Sequence, residues 1–100
     1  MHVVTRRHLS EAIGRYPDAA SEIKAWLGIV EVVRWHNIDE VRATFKDADL
    51  VDGYVVFDIR HNRYRLITVI HYAKTTSEKQ TKGHVYIRSL FDAQAIRQPQ

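Results

Sequence analysis

The stretch from Tyr54 to Tyr72, Y-V-V-F-D-I-R-H-N-R-Y-R-L-I-T-V-I-H-Y, most limits what this chain can fold into. Val55, Phe57 and Ile59 alternate with Tyr54, Val56 and Asp58, the two-residue period of a strand. From Tyr64 to Tyr72 both parities are partly apolar, with Leu66 and Ile70 on one and Ile67 and Val69 on the other. That pattern suits a central strand covered on both faces. Between the two runs lie Arg60, His61, Asn62 and Arg63, and Asn tolerates the left-handed backbone of a turn. A third run, His84 to Leu90, supplies another strand. The polar residues 73–83, with three lysines and a closing Gly83, read as a mobile hairpin loop.

Before Tyr54 the period is helical. His2 to Val4 reads as a short edge strand, and Thr5 as the cap of a first helix. Leu9, Ala12, Ile13 and Tyr16 fall on one face of that helix. Pro17 ends it, because the residue before a proline avoids the helical region, and also suits the first turn of a second helix. That helix carries the apolar stripe Ala19, Ile23, Trp26, Leu27, Val30 and Val33 and is expected to end near Trp35 or His36. Asn37-Ile38-Asp39-Glu40 has the form of a capping box, so a third, small helix follows. Asp47 to Gly53 reads as a loop. Helices first and an antiparallel meander second predict an α+β fold, with N-terminal helices packed on one face of a small antiparallel sheet. The other face, or its rim, is left for function.

A chain of 100 residues holds one core, so residues 1–100 are read as a single domain. No apolar run approaches the length of a membrane span, and Met1 to Arg7 lack the apolar stretch of a signal peptide. With no cysteine, disulfides and thiolate chemistry are excluded, which fits a cytoplasmic location. The formal charge of +3 is unevenly spread. Residues 1–50 carry 7 Lys/Arg against 8 Asp/Glu, and residues 51–100 carry 8 against 4. The strand half is therefore the positive half, and a phosphate backbone is the commonest partner of such a surface, although many soluble proteins show a similar excess.

The six histidines include no H-x-x-x-H pair, and there is no cysteine to complete a zinc set, so no metal site is expected. Asp58, alone among the strands as an acid, is read as ordering the Arg60–Arg63 turn. The Arg/Tyr set says more. Metal-free RNA cleavage needs a proton acceptor for the 2′-hydroxyl, a clamp on the phosphate and a proton donor for the leaving oxygen. Arginine binds phosphate through two parallel bonds and stays charged, and tyrosine stacks on a base or donates a proton. Arg63, Tyr64, Arg65, Tyr86 and Arg88 have these chemistries. By composition alone, plain binding or surface charge is the better reading.

The order of motifs adds a resemblance. H-V-V-T-R-R at 2–7, Y-P-D-A at 16–19, A-W-L at 25–27, R-A-T-F-K-D-A-D-L-V at 42–51, V-F-D-I-R-H-N-R-Y-R-L-I at 56–67 and V-Y-I-R at 85–88 resemble, in order, the HigB-type toxins of the RelE superfamily. The resemblance implies a RelE-like α+β fold and ribosome-dependent cleavage of translated mRNA without a cofactor. It also implies a helix-turn-helix antitoxin as partner, with the ribosome and mRNA as targets. On that model Arg65 and Arg88 clamp phosphate, and Tyr86 stacks or transfers a proton. Arg60, Arg63, Tyr64, His61 and His84 contact RNA, and Asn62 shapes the turn. Lys74, Lys79 and Lys82 make nonspecific ribosomal contacts. The family pattern after V-Y-I-R has His and Tyr where this chain has Ala93 and Ile96. Either catalysis leans on Arg65, Arg88, Tyr86 and a relocated His71 or His84, or the chain binds antitoxin or RNA without cutting.

Overall fold

The computed structural model describes residues 1–60 and 63–93. His61, Asn62 and Ile96, singled out above, lie outside them. The elements are β1 (His2–Val4), α1 (Arg6–Arg15), a 3-10 turn (Pro17–Ala19), α2 (Ala20–Val32), α3 (Ile38–Thr44), β2 (Asp49–Val51), β3 (Tyr54–Ile59), β4 (Tyr64–His71) and β5 (His84–Asp92). The strands form one sheet in the order β1-β5-β4-β3-β2. Helices cover one face of it, so the α+β expectation holds. The sheet is mixed rather than wholly antiparallel, because β1 pairs parallel to β5, with His2 opposite His84 and Val4 opposite Tyr86.

Local chemistry explains most element boundaries. Thr5 does not cap α1 with its side chain; it sits in the left-handed region at φ 63°. Its hydroxyl lies 3.0 Å from both the N–H and the carbonyl of Ile87, and so serves the edge of β5 where β1 stops. The second helix ends at Val32, earlier than the apolar stripe suggests. The Met1 amino group takes the carbonyls of Val30 and Val33 at 2.8 and 2.6 Å, which satisfies the helix end and lets Val33 turn extended. Asn37 caps α3 as expected, accepting from the Glu40 N–H at 3.0 Å. The Glu40 carboxylate reaches back to the His36 N–H at 2.8 Å, one residue earlier than in a standard box.

The expected loop over 47–53 contains a strand. Asp52 and Gly53 both have positive φ, 51° and 83°, and form the two-residue hairpin turn that joins β2 to β3. The loop after β4 is tied down rather than loose. Thr75 bridges to Gln80, and the Thr81 N–H donates to the Lys74 carbonyl at 2.8 Å. Arg34 reaches Gln80 and Thr81 from the end of α2.

The core lies between the helices and the inner sheet face. Phe57 is its centre, with Trp26 and Phe45 each 5.3 Å away, ring centre to ring centre, and Trp35 at 6.1 Å. Leu66, Thr68 and Ile70 of β4 face inward with Val85 and Ile87 of β5. Thr68 is satisfied by the Val55 carbonyl at 2.8 Å, so its burial leaves no orphan hydroxyl. Burying a side chain such as Phe57 or Ile23 contributes roughly 1.5–3 kcal/mol. The inward set fixes the outward set: Tyr54, Val56 and Asp58 on β3, Arg65, Ile67, Val69 and His71 on β4, and His84 and Tyr86 on β5.

Candidate functional site on the open sheet face

The uncovered sheet face is built by alternation and one irregularity. Ile67 pairs with Ser89 and Thr68 with Ile87, so Arg88 is the extra residue of a β-bulge. A bulge re-aims the side chain it carries. Here the Arg88 guanidinium lies 5.8 Å from the centre of the Tyr54 ring, on the open face. Arg65 and Arg88 therefore share a face. The register separates them by about two and a half residues, roughly 8 Å along the strands.

Next to Arg88 stands a ring cluster. Tyr86 packs edge-on against His71 at 4.9 Å and stacks against His84 at 6.0 Å. His2 meets His84 at 5.6 Å. The register places His2, His84 and His71 side by side on three neighbouring strands. Lys74, Lys79 and Lys82 are exposed on the β4–β5 loop, and Lys82 lines a hollow with Met1 and Arg34 at the end of α2. No group of three or more His, Asp or Glu among the described residues is arranged to hold a metal ion.

The opposite end is acidic. Arg65 pairs with Asp58 at 3.8 Å, and both line a cleft with Asp47 and Asp49. Asp58 therefore serves Arg65, not the Arg60–Arg63 turn. Burial pushes the Asp58 carboxyl up; Arg65 pulls it down, and Asp47 and Asp49 push it up further. Arg65 thus has its charge partly answered before any ligand arrives. Arg88 has no carboxylate within ion-pair distance among the described residues.

The remaining sequence candidates lie elsewhere. Tyr64 is 2% exposed on the inner face, packed on Tyr16 at 4.7 Å, and donates its hydroxyl to Asp18 at 2.7 Å. That bond holds the Asp18 carboxyl below its ordinary range and pushes the Tyr64 phenol up. A buried phenol of this kind supports the fold and offers no face to a base. Arg60 donates its backbone N–H to Glu22 and its guanidinium to the Asp18 carbonyl, the latter at 3.0 Å. Arg63 pairs with Asp92 at 3.3 Å. Both arginines gather at the β3–β4 turn, away from the rings of Tyr86 and the histidines. Ala93 is buried and donates its N–H to the Arg63 carbonyl at 2.9 Å.

Three contributors to this face escaped sequence reasoning: Tyr54 beneath Arg88, Asp58 as the partner of Arg65, and His2. All depend on strand register. The one local sign was the break in alternation at Ile87-Arg88-Ser89-Leu90, which a bulge explains.

His8 adds a fixed imidazole at the β5 edge. Its Nδ1 lies 3.0 Å from the Ile87 carbonyl, which can only accept, so Nδ1 carries the proton. No described helix is long and apolar enough to cross a membrane.

No curated protein matches the chain. The family model of the HigB toxin, described as the RelE-like toxic component of a toxin–antitoxin system, matches residues 19–91. The match spans α2, α3 and the β2–β5 meander that carries Arg65, Tyr86 and Arg88, and the chain belongs to this family of toxins.

Proposed function

We propose that this toxin is an endoribonuclease that cleaves translated mRNA on the ribosome, with Arg88, Tyr86 and the flanking imidazoles of His71 and His84 at its reaction centre. The observation that carries the reading is the Tyr86 ring held between His71 and His84, with Arg88 two residues on, on an uncovered face. In this scheme a neutral imidazole takes the proton of the 2′-hydroxyl. The 2′-oxygen bonds to phosphorus, and the bond from phosphorus to the 5′-oxygen breaks. Tyr86 or the imidazolium returns a proton to the leaving oxygen, giving a cyclic phosphate and a 5′-hydroxyl. Arg88 holds the phosphate as its charge grows. Arg65, restrained by Asp58, is a secondary clamp.

Lys74, Lys79 and Lys82 contact ribosomal RNA in this proposal. Arg60 and Arg63, each tied by one guanidinium bond to Asp18 or Asp92, have further N–H donors with which they position the RNA backbone. The partner that restrains the toxin is a helix-turn-helix antitoxin, and the site of action is the cytoplasm. A second reading, binding without cleavage, draws on Ala93, which is buried where the family has a histidine. Mapping mRNA 5′ ends after brief expression separates the two. New ends inside translated frames are expected; growth arrest with no new ends would leave only the binder.

A further inference from the structure

We infer that the cleft between Phe91 and the β2 edge, on the same open face as Arg88, is a subsite for one RNA base and selects guanine. The inference rests on the proposed RNA substrate and adds which base is held and by which residues. Asp58, Arg65 and Phe91 stand abreast on β3, β4 and β5. Asp49, Val56 and Ile67 stand abreast on β2, β3 and β4. Together with Asp47 and Val51 these residues line a cleft of about 230 Å³. Sites for small ligands combine apolar walls with a few convergent polar groups, and this cleft has that make-up.

The apolar part takes a flat ring. Val51, Val56 and Ile67 are aliphatic, and Phe91 is a half-buried aromatic ring. An aromatic side chain on an open strand face is what a splayed-out base stacks on. The polar part reads an edge. The Arg65 Nε–H is buried yet has no hydrogen-bond acceptor among the described residues. The Asp58 oxygen that faces it is 3.8 Å away, beyond hydrogen-bond reach. A buried donor left open is costly, and a carbonyl oxygen entering the cleft relieves it. Asp58 and Asp47, when ionised, can only accept. Asp49 is less free: it accepts the Leu50 N–H at 3.0 Å and lies 3.8 Å from Arg42.

Charge and edge chemistry together choose the ligand. Asp47, Asp49 and Asp58 face Arg65 within the cleft. Arg42 stands beside Asp49, and Lys46 lies in the adjoining hollow with Asp47 and Asp58. The charges balance, so nothing draws a phosphate into the cleft, and a neutral ring with donors on its edge suits it. Guanine carries O6, N1–H and N2–H in a row. The O6 atom accepts from Arg65, and the two donors meet Asp58 and Asp47. Uracil offers O4 and N3–H but no third group. Adenine and cytosine turn a ring-nitrogen lone pair toward the carboxylates, which repel it. Arg65 and Arg88 lie roughly 8 Å apart along the strands, so a phosphate at Arg88 and a base of the same RNA strand in the cleft are held together. The base then fixes which phosphate meets Arg88 and Tyr86.

The probes are labelled pentacytidylate RNAs with C, U, A or G at the central position, titrated against the full chain near neutral pH and followed by fluorescence anisotropy. The guanine RNA is expected to bind about 10- to 100-fold more tightly than the adenine or all-cytosine RNA, with the uracil RNA between them. Asp58→Asn, which replaces a carboxylate by an amide, should narrow that spread to within about threefold. Phe91→Ala should weaken all four RNAs alike, by about tenfold, because stacking tolerates every base. Circular dichroism checks that both variants are folded, and if Phe91→Ala is not, Asp58→Asn decides alone. Equal affinity for the four RNAs, no detectable binding of the guanine RNA, a preference that survives Asp58→Asn, or a folded Phe91→Ala protein that binds like the wild type overturns the inference. The assay needs no cleavage. A guanine preference without new mRNA ends sinks only the cleavage reading, and new ends with equal affinities sink only the subsite.

Discussion

Gly83 joins the lysine-bearing loop to His84, and its replacement by alanine has a cost that can be worked out from the geometry. Its φ is +74°, a region that costs a residue with a Cβ about 1–2 kcal/mol. A Cβ there would also lie 2.7 Å from the His71 carbonyl oxygen and 2.8 Å from the Ala73 nitrogen, both backbone atoms, and 2.6 Å from the Met1 methyl. Relieving such overpacking costs about 1–3 kcal/mol more, for a total of about 2–5 kcal/mol. Two other glycines calibrate the argument. Gly53 has φ +83° but open space around it, so Gly53→Ala should cost only the backbone part, about 1–2 kcal/mol. Gly14 lies in α1 with nothing near, and Gly14→Ala should gain about 0.5–1 kcal/mol from helix propensity. Urea unfolding followed by tryptophan emission reads all three. With a slope of about 1–3 kcal/mol per molar urea, the Gly83→Ala midpoint should fall by about 1 M or more. If Gly83→Ala loses no more than Gly53→Ala, the close approach of β1, β4 and β5 at Gly83 is wrong.

Asp58 makes stability pH-dependent in a definite direction. Its folded pKa is raised, chiefly by burial, so the folded state holds the proton more tightly than the unfolded chain. Stability is therefore full below the ordinary carboxylate pKa and declines as pH rises through the folded value. Asp58→Asn should abolish that decline, as seen in thermal midpoints between pH 3 and 7. Salt dependence of binding to a single-stranded RNA reads the two clamps separately. Arg88→Ala should lower the slope of log K against log salt by about 0.7, whereas Arg65→Ala should lower it by less because Asp58 already answers that charge. Asn37→Ala should cost about 1 kcal/mol in urea unfolding through loss of the α3 cap.

The sequence made the outline of this fold readable because the signals involved are local. Pro17 breaks the first helix from the second, Asn37 opens the third, and the alternation at Val55-Phe57-Ile59 marks β3. What stayed hidden depends on residues far apart in the chain. The parallel pairing of β1 with β5 joins segments more than 80 residues apart and leaves no local mark. The early end of α2 depends on the Met1 amino group, not on the apolar stripe. Tyr64 lies next to the cluster of arginines in sequence but points to the other face, because a strand alternates at every residue. Arg88 keeps the outward alternation of His84 and Tyr86, and the bulge beside it leaves Ser89 exposed as well before Leu90 turns inward. The hairpin of Asp52-Gly53 was a missed signal, since Asp-Gly between apolar residues is a strong turn marker.

Single-turnover cleavage of mRNA on programmed ribosomes by the purified chain tests the central claim most directly. The wild type should cut within the translated frame. Arg88→Ala, folded as judged by circular dichroism, should cut about 100- to 1000-fold more slowly, the loss expected when one donor to a growing negative charge is removed. Ribosome binding should weaken far less. A folded Arg88→Ala protein that cuts at the wild-type rate would contradict the assignment of this face as the reaction centre.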